Sequence, residues 1–315
     1  MTKPAHSRRP GRRRPRRGHP SIRLTAVALF IGLCVLISFA ATRAQQAQTS
    51  TVRILTPIAL PPKPTPKPTL QPAPLMADLA NTITNVEVTF HVRIGLSLAP
   101  IAAPGKVTTA PWYGGALPTT PAWQTFDVPI AWAASQNANQ STDINYLLHK
   151  ALAQNSSAAS DALWQLLGPP EQAAATTLAV LAATGDKTTT IPVDQTTGVP
   201  SDVWWTQANA AQFMGVLYCT NQSWPVLSQM NRDSNQYFGL ASLNMARVRT
   251  GSGTDPTLSP GTVFRQVGLL TLADHSQVGV SLAAAAYDGS TSTVKAAMTA
   301  VAKALPPVTG LPGYC

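Results

Sequence analysis

Hydrophobic and polar positions divide this 315-residue chain into two very different parts. Residues 24–41 form one uncharged apolar run, and residues 42–75 are rich in Pro, Thr and Gln. From residue 76 onward, apolar residues recur with the spacing of helices or strands. Residues 76–315 are long enough to enclose one sizeable hydrophobic core. We therefore expect a single folded domain over residues 76–315.

The periodicity within this region changes along the chain. Alternating, β-branched stretches predict strands over 86–98, 243–249, 263–271 and 278–287. The last two strands are predicted to form a hairpin around residues 273–276. Apolar and Ala/Leu-rich stretches predict helices over 130–134, 144–167, 170–184, 207–218, 224–232 and 291–305. This order predicts an α+β domain, with an antiparallel sheet flanked by terminal helices and a mostly helical lobe.

Positive charge is concentrated at the N-terminus. Nine of the 23 Lys and Arg residues lie within residues 1–23, which contain no acid. A basic tail can bind nucleic acid or anionic lipid. Here it directly precedes residues 24–41, whose length falls within the roughly 17–25 residues that span a bilayer. The positive-inside rule then places residues 1–23 in the cytoplasm. This pattern favours the membrane over nucleic acid as a partner.

We therefore expect a single-pass protein of the cell membrane. Its predicted parts are a basic cytoplasmic tail (1–23), a transmembrane helix (24–41), a Pro-rich linker (42–75) and an extracytoplasmic domain (76–315). Proline fixes φ and removes a backbone donor, so the linker favours extended conformations that hold the domain away from the membrane. A cleaved signal peptide is the alternative, because small residues follow the apolar run at 40, 41 and 44.

Several segments of the domain carry a family resemblance. They are AWQTFDVPIAWAA (122–134), LWQLLGPPEQAA (163–174), NQYFGL (235–240), ARVRTGSG (246–253) and FRQVGLLT (264–271). In this order and spacing they resemble the penicillin-binding-protein and class A β-lactamase-like serine hydrolase superfamily, especially its actinobacterial membrane-anchored members. The resemblance covers most of residues 85–305. It implies a β-lactamase/transpeptidase-like fold.

The resemblance also locates the family's first catalytic motif, which is degenerate here. Members of the family place a nucleophilic Ser after the first Trp of the segment and a Lys three residues later. Gln124 and Asp127 stand at these two positions. An amide cannot form an acyl-enzyme, and a carboxylate does not replace the lysine that activates the nucleophile. The pattern therefore predicts the scaffold of a hydrolase without its chemistry.

The other two motifs of the family are also altered. The S-D-N positions fall on Asn155, Ser156 and Ser157. Ser156 or Ser157 could still donate a proton, but the two serines are more typical of a capped helix start. In the K-T-G motif, Arg249 replaces Lys, whereas Thr250 and Gly251 are kept. Because Arg can bind a carboxylate through two hydrogen bonds, the triplet at 249–251 is a candidate binding groove for an anion or peptide. The alternative is a strand retained without function.

Cysteine and histidine positions add one structural prediction. Cys34 lies within the apolar run, whereas Cys219 and Cys315 both lie in the exported region, where disulfides persist. We expect these two to be bridged, with two free thiols as the alternative. The five His are scattered, with no metal-ligand spacing, and no phosphate-binding Gly-rich loop occurs. The sequence predicts neither a metal nor a cofactor.

Two functional hypotheses remain from the sequence. The first is a catalytically inactive, membrane-tethered domain that binds or scaffolds at the cell envelope, with a cell-wall peptide or envelope protein as candidate partner. The second is an active serine hydrolase (a D,D-peptidase, β-lactamase or esterase) with a non-standard nucleophile. The first is favoured because the nucleophile, base and relay positions are all changed together.

Overall fold

The computed structural model describes Leu70 and residues 76–137, 143–230, 236–244, 246–309, 311 and 313–315. The cytoplasmic tail, the transmembrane helix and nearly all of the linker predicted from the sequence lie outside these residues. Within the described ranges, no helix combines the length and apolar character needed to cross a membrane.

The described chain alternates between helices and strands. The helices are α1 (Ala77–Phe90), α2 (Asp127–Asn137), α3 (Ile144–Leu148), α4 (Ser157–Gln165), α5 (Pro170–Ala183), α6 (Gln207–Tyr218), α7 (Trp224–Leu227) and α8 (Thr291–Lys303). The strands are β1 (Val92–Pro100), β2 (Trp112–Gly115), β3 (Thr119–Pro121), β4 (Trp204–Thr206), β5 (Arg247–Thr254), β6 (Thr262–Thr271) and β7 (Gln277–Ala286). Two 3₁₀ helices, Trp123–Phe126 and Gly239–Ser242, and a π-helix, His149–Ala153, complete the set.

Five strands form an antiparallel sheet in the order β2-β1-β7-β6-β5, so β5 is an edge strand. Strands β3 and β4 form a separate antiparallel pair. Helices α1 and α8 pack together and share one hydrophobic cluster with the sheet. Helix α6 packs on β1 and β7 and belongs to a second cluster with the helical lobe. The α+β prediction of an antiparallel sheet, terminal helices and a helical lobe is confirmed.

Helix α1 is the largest departure from the predicted elements. The sequence predicted a strand over 86–98, but the helix continues to Phe90 and the strand begins at Val92. Leu79, Ile83 and Val86 are buried along one face of this helix, and this packing outweighs the β-branched composition. His91, at φ 50°, ends the helix in the left-handed conformation.

The single helix predicted over 144–167 is also wrong in detail. The chain is helical over Ile144–Leu148, continues as a π-helix over His149–Ala153 and restarts at Ser157. Between them Asn155 takes φ 56°, and the Ser156 side chain accepts a hydrogen bond from the Ala159 N–H. This interruption separates two helices that both contact α2. It also places residues 155–157 at a helix start.

A disulfide joins Cys219 and Cys315, with Cα atoms 5.0 Å apart, as predicted. It fixes the C-terminal residues to the end of α6. Tyr314 also forms an isolated parallel β-bridge with Ala102. The last residues are therefore held at two points.

Candidate functional site

A cleft of about 300 Å³ lies where the first 3₁₀ helix, α2, α4, β5 and the loop before β4 meet. Five of the site positions predicted from the sequence line its walls, although they span much of the domain. They are Gln124, Asp127, Asn155, Ser157 and Arg249. Ser156, Thr250 and Gly251 were predicted beside them but do not line the cleft.

The first motif lies at the entrance to a buried helix. The 3₁₀ helix Trp123–Phe126 follows β3 closely and leads directly into α2. The first eight residues of α2, 127–134, are all buried, so the helix is held on every side by the domain. Gln124 and Asp127 therefore occupy fixed positions one turn apart.

Arg249 on β5 reaches back to this helix entrance. Its Nη2 donates to Asp127 Oδ2 at 2.5 Å and to Asn155 Oδ1 at 2.8 Å. Its Nε donates to the carbonyl of Gln124 at 3.1 Å, and its Nη1 donates to that of Leu152 at 3.3 Å. The Arg249 side chain is only 4% exposed. Every nitrogen of this guanidinium is therefore engaged by the protein itself.

Burial raises the pKa of Asp127 above its usual value. The charge and hydrogen bond of Arg249 act in the opposite direction, as does a hydrogen bond from Ser160. The nearby charge of Asp161 adds to the increase. Desolvation is the largest of these effects, as expected for a carboxylate removed from water. The ion pair thus carries a substantial burial cost.

The exposed edge of β5 is also engaged from within the chain. The backbone N–H of Ser252 donates to Gln124 Oε1 at 2.9 Å. Gly251 lies so close to the 3₁₀ helix that an added Cβ would be 2.9 Å from the backbone nitrogens of Gln124 and Thr125. Thr250 points its hydroxyl at Gln266, whose Nε2 donates to it at 3.0 Å. Of the predicted groove residues 249–251, only Arg249 lines the cleft, and the Gln124 segment packs against Gly251.

Residues of the second motif divide between structural and cleft positions. Asn155 accepts from Arg249, and its left-handed conformation turns the chain into α4. Ser156 caps α4, in agreement with the alternative interpretation of this triplet. Ser157, the first residue of α4, lines the cleft. No two of the three residues have the same role.

Sequence reasoning missed the contribution of the rest of α4 and of the loop before β4. Ser160, Asp161 and Trp164 line the cleft together with Ser157, and Asp202 lines it from the loop. The spacing of the four α4 residues (157, 160, 161 and 164) is that of one helix face, which was the available signal. Asp202 had no such signal.

Two observations limit the chemistry available in the cleft. Among the described residues that line it, no Lys or His occurs. Across the described ranges, no group of three or more His, Cys, Asp or Glu side chains is arranged to hold a metal ion. The polar groups of the walls are carboxylates, amides, hydroxyls and the neutralised Arg249.

Solved structures similar to this domain share one architecture. A class A β-lactamase from Mycobacterium abscessus matches 72% of this chain and 98% of its own length, with a TM-score of 0.52 and 14% identity. A β-lactamase from Chitinophaga pinensis matches 72% and 97%, with a TM-score of 0.54 and 12% identity. A variant of the class A β-lactamase of the last common ancestor of Gram-negative bacteria matches 72% and 96%, with a TM-score of 0.53 and 15% identity.

The fold is that of the class A β-lactamases. The fold implied by the sequence resemblance is therefore confirmed. No protein-family model matches the sequence. Curated protein sequences give no match either. At 12–15% identity the likeness to these β-lactamases concerns the fold, so the chemistry must be argued from the cleft itself.

Proposed function

We propose that this chain is a membrane-tethered, extracytoplasmic domain of β-lactamase fold that has lost serine hydrolase chemistry and binds or scaffolds at the cell envelope. The tether rests on the basic residues 1–23, the apolar run 24–41 and the Pro-rich linker 42–75. A cell-wall peptide or an envelope protein is the candidate partner. The function then depends on what the cleft and surface bind rather than on a reaction.

One observation supports the loss of activity above all. Gln124 and Asp127, at the positions of the family's nucleophile and lysine, are both engaged in contacts within the chain. Gln124 Oε1 accepts from Ser252 N–H, and Asp127 pairs with Arg249. A strand-edge donor and a cation, which could each hold a substrate, are thereby occupied by the protein's own side chains. Gln124 and Asp127 therefore hold the cleft together as structural residues. The cleft differs from a serine hydrolase active site by more than the missing nucleophile.

The second hypothesis, an active serine hydrolase, requires another nucleophile in the cleft. Ser157 and Ser160 line it. The Ser160 hydroxyl donates to the Ser156 carbonyl, one turn earlier in the chain, at 3.3 Å. A serine nucleophile needs an adjacent base, such as a His or Lys, to accept its proton. The described cleft lining offers neither residue.

Covalent labelling distinguishes these hypotheses. The full chain, purified in a neutral detergent, is incubated with a fluorescent penicillin and with a fluorophosphonate probe, beside an active class A β-lactamase as positive control. We expect no stoichiometric label on the chain. Stoichiometric labelling would contradict the inactive assignment, and its loss in Ser157→Ala or Ser160→Ala would identify the nucleophile.

The membrane tether is tested separately. Cells that produce the chain are fractionated, and intact spheroplasts are treated with protease. We expect the full-length chain in the membrane fraction, with residues 76–315 degraded from outside. Recovery of a shortened chain from the medium would instead indicate cleavage after the apolar run.

A further inference from the structure

We propose that the cleft binds a ligand carrying an alkylammonium group, such as a peptide with a free side-chain amine. This inference builds on the proposed role as a binding module and names the chemistry of its ligand. Three features of the cleft support it. Arg249, the one cation in the described cleft wall, is paired within the chain; two carboxylates remain without a counter-charge; and apolar side chains lie in the same wall.

The cation in the described cleft wall is already engaged by the protein. Arg249 is the sole basic side chain among the described residues that line the cleft. Its four polar contacts, to Asp127, Asn155, Gln124 and Leu152, are all within the chain. A ligand carboxylate would have to displace the Asp127 carboxylate from a buried contact. Leaving a buried charge unpaired in this way is costly, so an anionic ligand is disfavoured.

The remaining charge of the cleft is negative. Since Asp127 and Arg249 neutralise each other, Asp161 and Asp202 are the charged lining residues that are left. In the described part of the chain, neither of them forms a salt bridge. Asp161 lies close enough for its charge to act on Asp127. Two uncompensated carboxylates in one cleft, a half-buried one on α4 and an exposed one in the loop before β4, attract a cation and repel an anion.

The shape and surface of the cleft point to a small organic cation. Its volume of about 300 Å³ is at the lower end of typical small-ligand pockets. Trp123 and Val199, both half-buried, contribute indole and aliphatic surface to the walls, whereas Trp164 and Ile130 are only 2% and 5% exposed. Indole attracts ammonium groups more strongly than other side-chain rings, and the apolar walls suit the methylene stem that carries such a group.

Three probes that share one scaffold but differ in charge test this proposal. They are Nα-acetyl-L-lysine amide (cationic), Nα,Nε-diacetyl-L-lysine amide (neutral) and Nα-acetyl-L-glutamic acid α-amide (anionic). Binding to the full chain in a neutral detergent is measured by saturation-transfer NMR titration. We expect the cationic probe to bind at least about ten-fold more tightly than the neutral probe. Its binding should weaken as salt is added, because salt screens charges that are partly exposed.

Substitutions in the cleft assign the effect to its carboxylates. Asp161→Asn and Asp202→Asn keep the side-chain shape and remove one charge each, so each should weaken binding of the cationic probe several-fold. Asp78→Asn is the matched control, because Asp78 is exposed on α1 and does not line the cleft. Thermal unfolding of each variant verifies that it is folded. The Asn variants should leave the weak binding of the neutral probe unchanged.

Several results would overturn the inference. They are equal binding of the cationic and neutral probes, preferred binding of the anionic probe, no detectable binding of any probe, or cationic binding that is unaffected in both cleft variants. Failure of the proposed function is recognised separately by the fluorophosphonate label. A chain that is not labelled and does not prefer the cationic probe retains the proposed function and loses only this inference.

Discussion

Removal of the Asp127 carboxylate is the most informative perturbation of the site. In Asp127→Ala, Arg249 stays buried and keeps its bonds to Gln124, Leu152 and Asn155, but its Nη2 loses the acceptor oxygen of Asp127 as well as the counter-charge. Removing one partner of a buried pair costs about 3–5 kcal/mol. For a domain of this size, that corresponds to a fall in Tm of roughly 6–20 °C. Chemical and thermal unfolding, followed by tryptophan fluorescence, measure the change.

A double-mutant cycle separates the pair from its surroundings. The cycle comprises Asp127→Leu, Arg249→Met and their combination, and we expect the combination to be less destabilising than Asp127→Leu alone, because no charge is left buried without a partner. Acetate or formate should raise the Tm of Asp127→Ala by binding beside Arg249, and should leave wild type unchanged. Asp78→Ala serves as an exposed control. A loss below about 1 kcal/mol in Asp127→Ala, or additive single effects, would refute the buried-pair argument.

The pH dependence of Asp127 follows from the direction of its pKa shift. Because burial raises the pKa of Asp127, the folded chain holds a proton where the unfolded chain has released it. The contribution of this group to stability is therefore present below the ordinary value of 3.8 and is lost as pH rises through the raised pKa. Relative to Asp127→Asn, wild type should lose stability over this window. An increase instead would show that Arg249 outweighs burial.

Three further predictions concern the rest of the domain. Cys219→Ser should lower the free energy of unfolding by about 2–5 kcal/mol, and reductant should have little further effect on the variant, whereas it should destabilise wild type. Gly253→Ala should destabilise by about 1–3 kcal/mol, because an added Cβ would collide with the Trp123 indole; denaturant titration measures it. Arg265 is fully buried, donates to the carbonyls of Thr120, Trp205 and Thr206, and has its pKa lowered to about 9 by burial. These bonds hold β3 and β4 to the main sheet. Arg265→Lys loses the planar group of donors, so the free energy of unfolding should fall by about 2–3 kcal/mol. Unchanged stability would contradict this role.

The predicted elements were most accurate where a segment is buried along most of its length. The helix predicted over 207–218 and the strands over 263–271 and 278–287 agree with α6, β6 and β7 to within one residue. The pattern failed at Val86, where β-branched residues belong to a helix that is held by tertiary packing. Strands β3 and β4, with three residues each, are too short to give a periodic signal.

The site was accessible from the sequence only as a set of positions. The order of the family motifs identified residues 124, 127, 155, 157 and 249 as site positions. The structure brings these five residues to one cleft. The roles of Thr250 and Gly251 could not be foreseen, because whether a strand edge is free depends on which segment packs against it.

Gln124 shows why the remaining part had to come from the structure. At the sequence level its amide is simply a residue that cannot act as a nucleophile. In the fold, the same amide accepts the Ser252 N–H, which an edge strand would otherwise offer to an extended ligand. Changing Gln124 to Ser would therefore not only supply a hydroxyl but also leave that N–H without its acceptor and Arg249 still paired with Asp127. Under the proposed function, the loss of chemistry and the engagement of the Ser252 N–H both involve the Gln124 side chain, so supplying a hydroxyl there does not by itself restore a site that can hold a substrate.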